Sequence, residues 1–260
     1  MNQKFELTPD ESEKPVKSVA IILAAGSGGR LRPLTNTIPK CLIEIGTHPI
    51  VFHQVSSLKH FDIRNVILVV GFMTNKVREY VDRVFPDLNI TFIENPLFER
   101  TNTLYSLALA AQTLEPETEV FQLNGDVVFD PRIIDLLKSS DADKSYVTAE
   151  PKRCGEEEIK ILLAADGAIA ELNKKIPPER AIGEAIGINK FSSRFFRELK
   201  KVLESLKDNY PMEYFEYAIE HAIKSGAKIY PLDIKELKAV EIDFFEDLER
   251  ARNEVLSFLS

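Results

Sequence analysis

The feature that most constrains the fold of this chain is a short apolar run that ends abruptly in small residues and glycines. Residues 19–25 (VAIILAA) are typical of a buried β-strand, and residues 26–29 (GSGG) follow at once. Because glycine lacks a Cβ, the backbone can approach a ligand closely, and its free N–H groups can bind phosphate oxygens. Arg30, Arg32 and Lys40 add positive charge just downstream. We call residues 26–40 the glycine-rich stretch and predict that it binds a polyphosphate.

Two common phosphate-binding loops do not fit this stretch. A dinucleotide-binding loop requires G-x-G-x-x-G at the start of a helix, but Leu31 stands where the third glycine belongs. Pro33 and Pro39 also prevent a regular helix from running through the segment. An ATPase-type loop needs Gly-Lys followed by Ser or Thr, which this stretch lacks. The stretch is therefore predicted to be an extended basic loop draped over the end of a strand.

Strand-like and helix-like segments alternate along the first half of the chain. Short runs rich in Val, Ile and Phe predict strands, and helical periodicity appears between them. Strands are predicted at 19–25, 65–70, 89–93 and 119–123, and helices at 50–61, 74–84 and 102–113. Apolar strands that alternate with helices indicate a parallel sheet covered on both faces. Ligands of such sheets bind beyond the carboxyl ends of the strands, where the glycine-rich stretch lies.

The second half of the chain predicts a mixed sheet with a small inserted β subregion near 150–190. Strands are predicted at 144–150, 158–164, 168–172, 183–191, 228–231 and 239–242, and helices at 193–206, 211–225 and 244–259. No Gly- or Pro-rich linker divides the sequence. We therefore expect an α/β fold with a Rossmann-like, mostly parallel but mixed sheet flanked by helices. It should form a single domain, 18–260, after an N-terminal tail, 1–17.

The composition excludes some classes of binding partner. The formal net charge of -8 argues against nucleic acid, because domains that bind it are usually basic. The sequence contains no apolar run long enough to span a membrane, so no membrane partner is expected. Two cysteines, Cys41 and Cys154, provide neither a metal cluster nor a disulfide framework, which suggests a reducing, cytoplasmic setting. An acidic protein that binds anionic substrates must concentrate positive charge locally, as the glycine-rich stretch does.

Two carboxylates follow predicted strands. Asp126 comes after the strand at 119–123, at the sheet edge that should hold the glycine-rich stretch, although Asn-Gly-Asp is also common turn chemistry. Asp243 follows the strand at 239–242 and could equally cap the last helix. By strand alternation, Glu241 is expected to point away from Asp243. From the residues alone, Asp126 could be a turn residue and Asp243 a helix cap, with no role in binding.

Residues 23–40 resemble the signature L-A-A-G-x-G-x-R-L-x-P-L-T-x-x-x-P-K of nucleotidyltransferases that activate sugar phosphates and phospho-alcohols. The resemblance implies catalytic roles for Arg30 and Lys40, whose charges would neutralise a triphosphate. It also implies that Mg²⁺ binds Asp126 and Asp243, the latter within an E-I-D stretch similar to one found near the C-terminus of family members. The nucleotide-binding positions that it implies are Leu23, Ala24, Ala25, Gly26, Ser27, Gly28 and Asp126.

Other segments resemble the cytidylyltransferase branch of this family. Residues 95–109 resemble the segment that contacts the base, which implies Asn102 and Ser106 as base contacts, although Asn102 could also cap a helix. Gly71 could let the backbone approach the base. Residues 183–187 (GEAIG) resemble an E-x-x-G segment that contacts the acceptor, which implies Glu184. Further acceptor candidates, each of which could equally be an ordinary surface residue, are Lys160, Lys174 and Lys175 for a phosphate and Glu216 for an amine or hydroxyl.

The resemblance implies an Mg²⁺-dependent transfer of a nucleotidyl group, with CMP from CTP favoured, to a phospho-alcohol or phosphonate, with release of pyrophosphate. The expected partners are CTP and a small phosphorylated or phosphonate acceptor, and the expected cofactor is Mg²⁺. A sugar-1-phosphate nucleotidyltransferase is one alternative, and a nucleotide-binding regulatory protein on the same fold is another. The sequence leaves open the base, the acceptor and whether the chain forms a homo-oligomer.

Overall fold

A computed structural model describes residues 17–254. The described strands are β1 (Ser18–Ala24), β2 (Glu44–Ile45), β3 (His48–Pro49), β4 (Asn65–Val70), β5 (Asn89–Glu94), β6 (Glu119–Asn124), β7 (Val127–Phe129), β8 (Tyr146–Glu150), β9 (Lys160–Leu163), β10 (Ile169–Asn173), β11 (Glu184–Phe191), β12 (Tyr230–Asp233) and β13 (Ala239–Glu241). The described helices are α1 (Ile50–His60), α2 (Thr74–Val84), α3 (Thr103–Gln112), α4 (Arg132–Lys138), α5 (Ser193–Leu206), α6 (Phe215–Lys224) and α7 (Phe245–Glu254). The predicted tail, apart from Lys17, and the end of the predicted last helix and domain, 255–260, lie outside the described residues.

Nine of the described strands form one mixed sheet. Its main path is β10-β9-β11-β6-β1-β4-β5, and β8 and β12 branch from β11. The strands β6, β1, β4 and β5 are parallel neighbours, whereas β11 runs antiparallel to β6 and β8. Leu23 near the end of β1 lies beside Val69 of β4 and Asn124 of β6, so these strands end at one edge of the sheet. The predicted α/β fold with a mostly parallel, mixed sheet is confirmed.

Alternate residues of β1 face two helical layers. Ile21 and Leu23 pack in a buried cluster with residues of α3, α5 and α6, whereas Ala20 and Ile22 pack with residues of α1, α2 and α4. Because both faces are covered, the strand is apolar throughout. Each fully buried Ile or Leu contributes about 1.5–3 kcal/mol, which holds β1 firmly in the centre of the sheet. None of the described helices has both the length and the apolar character needed to cross a bilayer.

A third buried cluster joins the glycine-rich stretch to the segment around α7. Leu31 and Ile43 come from the first part of the chain, and Ile242 and Leu248 come from the last described part. All four side chains are almost completely buried. Water is excluded between the two segments, so hydrophobic burial holds them together. The cluster therefore brings the polar side chains beside Leu31 next to those beside Ile242.

The glycine-rich stretch differs from its prediction. Instead of an extended loop, the chain forms three short 3₁₀ turns at Gly29–Leu31, Leu34–Asn36 and Lys40–Leu42. Pro33 separates the first turn from the second and Pro39 separates the second from the third, because neither supplies the N–H group that a continuous helix needs. The prediction also missed β7, α4 and the β2–β3 pair. These elements are too short to produce a recognisable hydrophobic period.

Candidate active site

An open cleft of about 1010 Å³ lies at the carboxyl ends of β1 and β6 and is lined by the glycine-rich stretch. Two glycines make its floor possible. A Cβ on Gly125 would lie 2.5 Å from the carbonyl oxygen of Leu23, so only glycine lets β6 end this close to β1. Gly28 has a φ of +65°, and a Cβ there would lie 3.1 Å from the Cβ of Lys40. Glycine at position 28 therefore gives the Lys40 side chain room to enter the cleft.

Four of the predicted residues meet at this floor. The Nζ of Lys40 lies 2.6 Å from Oδ2 of Asp126 and 2.7 Å from Oδ1 of Asp243. Arg30 donates from Nη1 to Oδ2 of Asp243 at 2.9 Å. Burial alone would lower the pKa of Lys40, but Asp126 and Asp243 raise it above its ordinary value, so the ammonium keeps its charge. Burial would also raise the pKa of Asp243, but Lys40 and Arg30 hold it below its usual range.

The Asp243 carboxylate is available to the cleft because another residue caps the last helix. The backbone N–H groups of Asp243 and Phe244 both donate to Oδ2 of Asp247, at 3.1 and 2.9 Å. Asp247 therefore reaches back from the first turn of α7 and satisfies the donors of the two residues that precede the helix. The alternative role of Asp243 as the side-chain cap is not the one observed, since its carboxylate contacts Lys40 and Arg30.

The expected orientation of Glu241 is wrong. Its carboxylate and those of Asp126 and Asp243 each place an oxygen within 4.8 Å of the others. The reason is the period of a strand, in which residues two positions apart lie on the same face. The Glu241 side chain is open to the solvent of the cleft. Crowding by the protein around it, together with the charges of Asp126 and Asp243, raises its pKa well above the ordinary value. The acidic group thus has three members, and we call it the carboxylate triad.

The carboxylate triad fits a divalent cation. Mg²⁺ takes oxygen ligands and is held by carboxylates together with substrate phosphates. Three carboxylates that repel one another at short range are stabilised by a positive charge placed among them. The Lys40 ammonium, between Asp126 and Asp243, shows that this position attracts a cation. The donor set of Asp126, Glu241 and Asp243 therefore has the chemistry that such an ion requires.

The predicted nucleotide-binding residues divide into two groups. Those that line the cleft are Leu23, Ala24, Gly26, Gly28, Asn102 and Asp126. Asn102 also caps α3, since its Oδ1 accepts a hydrogen bond from the N–H of Thr103 at 2.8 Å. Its two predicted roles are therefore compatible in the structure. A capping side chain at the start of α3 stands at the rim of the cleft.

Four predicted nucleotide-binding residues are not among the described residues that line the cleft, and they are Ala25, Ser27, Gly71 and Ser106. The hydroxyl of Ser106 is buried and accepts a hydrogen bond from Asn95 at 3.1 Å. A Cβ on Gly71 would lie 2.7 Å from Phe98 and 2.8 Å from the carbonyl oxygen of Ala25. Gly71 therefore permits close packing between strand ends, and Ser106 belongs to an internal hydrogen-bond network.

Lys160 is predicted to bind the acceptor phosphate, but the structure places it in the protein interior. Its side chain is 1% exposed and lies outside the described cleft lining. The ammonium donates to the carbonyl oxygens of Gly155, Glu156 and Glu158 at 2.8, 3.3 and 3.2 Å. Three carbonyls satisfy all the donors of an ammonium group. We therefore assign Lys160 to holding the 155–158 loop against β9.

Glu184 lines the cleft, but it already has a partner. Its Oε2 lies 2.5 Å from the Nζ of Lys152, which also contacts Glu158 at 3.2 Å and Glu150 at 3.5 Å. Burial raises the pKa of Glu184, and Lys152 opposes that rise. Sequence reasoning missed Lys152. The signal was available, because Lys152 lies between Glu150 and the acidic run 156–158.

Glu216 also lines the cleft, at the start of α6. Its side chain is 6% exposed, and its Oε2 has no hydrogen-bond partner among the described residues. Burial raises the pKa of Glu216 to about 7. An ionisable group that is both buried and incompletely bonded is costly to the fold, so its place in the cleft requires an explanation.

This environment predicts a pH-dependent stability change for Glu216→Gln. The pKa of the carboxyl group rises from its ordinary value of 4.5 to about 7 on folding, so the folded protein loses stability as pH rises between these values. The loss reaches about 3 kcal/mol above pH 7. Glutamine cannot ionise, so the melting temperature of the variant relative to the unmodified protein should rise by several degrees between about pH 4.5 and pH 8.

Thermal melts at both pH values would check this expectation. Glu198→Gln, on the surface of α5 beside Lys201, is the matched control and should show no such change. The same difference in melting temperature at both pH values would contradict the assigned environment of Glu216.

The parallel sheet edge, the cationic stretch and the carboxylate triad define an α/β protein suited to binding a polyphosphate with a metal cation. A family model described as Nucleotidyl transferase matches residues 19–159, and the chain belongs to this family of enzymes. Members of the family typically use a divalent metal. The resemblance seen in residues 23–40 is therefore confirmed.

Two curated relatives are similar along most of the chain. CTP:phosphoglutamine cytidylyltransferase of Campylobacter jejuni is 29% identical over 252 residues, which is 88% of this chain and 97% of that protein. CMP-5'-(3-aminopropyl)phosphonate synthase of Streptomyces rubellomurinus is 28% identical over 247 residues, 91% of this chain. The matched region is only 38% of the length of the Streptomyces protein.

Solved structures support the fold. The inositol-1-phosphate CTP transferase of T. maritima matches with a TM-score of 0.78 and 23% identity, covering 94% of this chain and 96% of that one. The CTP:phosphocholine cytidylyltransferase of Streptococcus pneumoniae matches with a TM-score of 0.74 and 20% identity, covering 92% of this chain and all of that one. At these identities the likeness concerns the arrangement of strands and helices.

Proposed function

We propose that this chain is a cytidylyltransferase that transfers CMP from CTP to a small phosphorylated or phosphonate acceptor and releases pyrophosphate. The observation that carries the proposal is the contact of Lys40 with both Asp126 and Asp243, beside Arg30, on the floor of the cleft. The choice of CTP is supported by the Campylobacter relative, of which the match covers 97% and whose name specifies CTP.

The reaction needs no general base. An acceptor phosphate or phosphonate is anionic at neutral pH, and one of its oxygens attacks the α-phosphorus of CTP in line. A new bond forms between that oxygen and the α-phosphorus, and the bond to the α–β bridging oxygen breaks. The electron pair of the broken bond leaves with pyrophosphate. The main obstacle is negative charge on the reacting oxygens, so positioned cations provide most of the catalysis.

Each residue on the cleft floor has a role in this scheme. Lys40 neutralises the α-phosphate as charge builds up on its non-bridging oxygens. Arg30, whose guanidinium can bind two phosphate oxygens at once, holds the triphosphate and then the departing pyrophosphate. The backbone N–H groups around Gly26 and Gly28 bind the remaining phosphate oxygens. Asn102, at the rim, supplies both a donor and an acceptor to the base.

The carboxylate triad is the proposed magnesium site. Asp126, Glu241 and Asp243 would hold the ion, with phosphate oxygens completing its ligands. When bound, the ion supplies positive charge at the α-phosphate and helps to align the two reactants. Beyond the triad, Glu184, Lys152, Lys174 and Glu216 line the part of the cleft assigned to the acceptor.

A substrate screen tests this function. Pyrophosphate release is measured with CTP, UTP, GTP and dTTP, each against phosphocholine, 2-aminoethylphosphonate, inositol phosphate and glucose-1-phosphate. We expect turnover with CTP and at least one of the first three acceptors. Turnover confined to glucose-1-phosphate would favour a sugar-1-phosphate nucleotidyltransferase. Nucleotide binding without turnover against any acceptor would favour a regulatory protein on this fold.

A further inference from the structure

Glu216 is an unexplained acid within the acceptor part of the cleft. Its side chain is 6% exposed, and its Oε2 has no hydrogen-bond partner among residues 17–254. Buried carboxylate oxygens in proteins are almost always paired, so an unpaired one at a cleft wall indicates a missing partner. The mechanism of nucleotidyl transfer proposed above gives this carboxylate no step.

Glu184, another acidic residue that lines the cleft, does have a partner for its carboxylate. Lys152 lies 2.5 Å from its carboxylate and satisfies its charge. Lys174, a cation whose charge acts on Glu216, is engaged elsewhere: its Nζ lies 3.3 Å from Glu157 and 5.0 Å from the centroid of the Tyr214 ring. No side chain of the described cleft therefore neutralises the Glu216 carboxylate by direct contact.

The surroundings of Glu216 suit a positively charged group. Acidic side chains outnumber basic ones among the residues that line the cleft. Tyr214 also lines it, and the position of Lys174 shows that the Tyr214 ring can accommodate an ammonium group. Glu216 lies close enough to Glu241 for its charge to affect that residue. Glu216 and the carboxylate triad line the same cleft.

We propose that Glu216 selects an acceptor with an ammonium group a short chain away from its phosphate or phosphonate. The acceptor is thus an aminoalkyl phosphate or phosphonate, and this inference rests on the proposed function. The ammonium donates a hydrogen bond to Oε2 and neutralises the carboxylate, whereas a hydroxyl supplies the hydrogen bond alone. A charge-assisted hydrogen bond is about twice as strong as a neutral one, so the charge sets the preference.

Two acceptors of equal length test this selection. The kcat/KM for pyrophosphate release from CTP is measured with 2-aminoethylphosphonate and with 2-hydroxyethylphosphonate, for the unmodified protein, Glu216→Gln and the surface control Glu198→Gln. The unmodified protein and the control should prefer the amine about 10-fold or more. In Glu216→Gln the ratio should fall about 10- to 100-fold, mostly through KM for the amine. Since the ratio is taken within one preparation, partial loss of folded protein does not affect it.

The outcomes separate the inference from the function on which it rests. Turnover of both acceptors with a ratio near one, or a ratio that Glu216→Gln leaves unchanged, would overturn the role of Glu216 while the proposed function stands. A preference for the hydroxyl acceptor would show that Glu216 is protonated and donates a hydrogen bond instead. If no acceptor supports pyrophosphate release with CTP, the proposed function fails and the inference fails with it.

Discussion

Lys40→Ala should reduce pyrophosphate release from CTP about 100- to 1000-fold, which is the usual cost of removing a major charge-stabilising group from a transition state. Lys40 is the cation that contacts both Asp126 and Asp243, so no other side chain can replace it without rearrangement of the cleft floor. The effect should appear mainly in kcat, since the charge is needed most where negative charge accumulates.

The same variant should bind a divalent cation more tightly in the absence of nucleotide. The Lys40 ammonium competes with an ion for oxygens of Asp126 and Asp243, and its removal leaves the carboxylate triad uncompensated. We expect about a tenfold gain in Mn²⁺ affinity by calorimetric titration. Lys59→Ala, which breaks the surface pair with Asp87, is the matched control and should change neither quantity. Near-normal turnover of Lys40→Ala would refute its assigned role.

Asp126→Asn should also abolish most of the activity, by about 100-fold or more, because the variant loses one charged ligand of the proposed magnesium site. Here the Mn²⁺ affinity should fall together with turnover. Asparagine has the shape of aspartate and can still accept a hydrogen bond from Lys40, so the fold should be retained. Asp87→Asn, which changes the partner of Lys59 in the surface ion pair, is the matched control and should leave Mn²⁺ affinity and turnover unchanged.

The opposite signs of the metal response distinguish the two variants. A structural defect in the cleft floor would weaken metal binding in both Lys40→Ala and Asp126→Asn. A triad that binds a cation in competition with Lys40 predicts tighter binding in one and weaker binding in the other. Unchanged Mn²⁺ affinity in Asp126→Asn would mean that the carboxylate triad is not the metal site.

The sequence predicts the central sheet well because its strands carry their own signal. β1 is apolar on both faces, and the glycines after it mark the point where the strand ends. The pairing of Arg30 and Lys40 with Asp243 was also predictable from residue type, because cations and carboxylates were both expected at the same sheet edge. The prediction of α5 over 193–206 coincides with the observed helix, Ser193–Leu206.

The remaining features depend on contacts that no local pattern records. Lys160 is buried because the loop 155–158 folds back and offers carbonyl oxygens to its ammonium. Lys152 acquires its environment from β8, from β11 and from that same loop. The position of Glu241, in contrast, follows from the local sequence. Residues two positions apart in a strand lie on the same face, so strand alternation places Glu241 beside Asp243.

The buried cluster of Leu31, Ile43, Ile242 and Leu248 has a consequence for biosynthesis. The ribosome releases Arg30 and Lys40 long before Asp243, which follows Arg30 by 213 positions. A nascent chain can pair β1 with β4 and β6 while Arg30 and Lys40 still lack Asp243 as a partner. The proposed metal site therefore cannot form before Asp243 has been synthesised, and a proteolytic cut before β13 would remove both Glu241 and Asp243 from it.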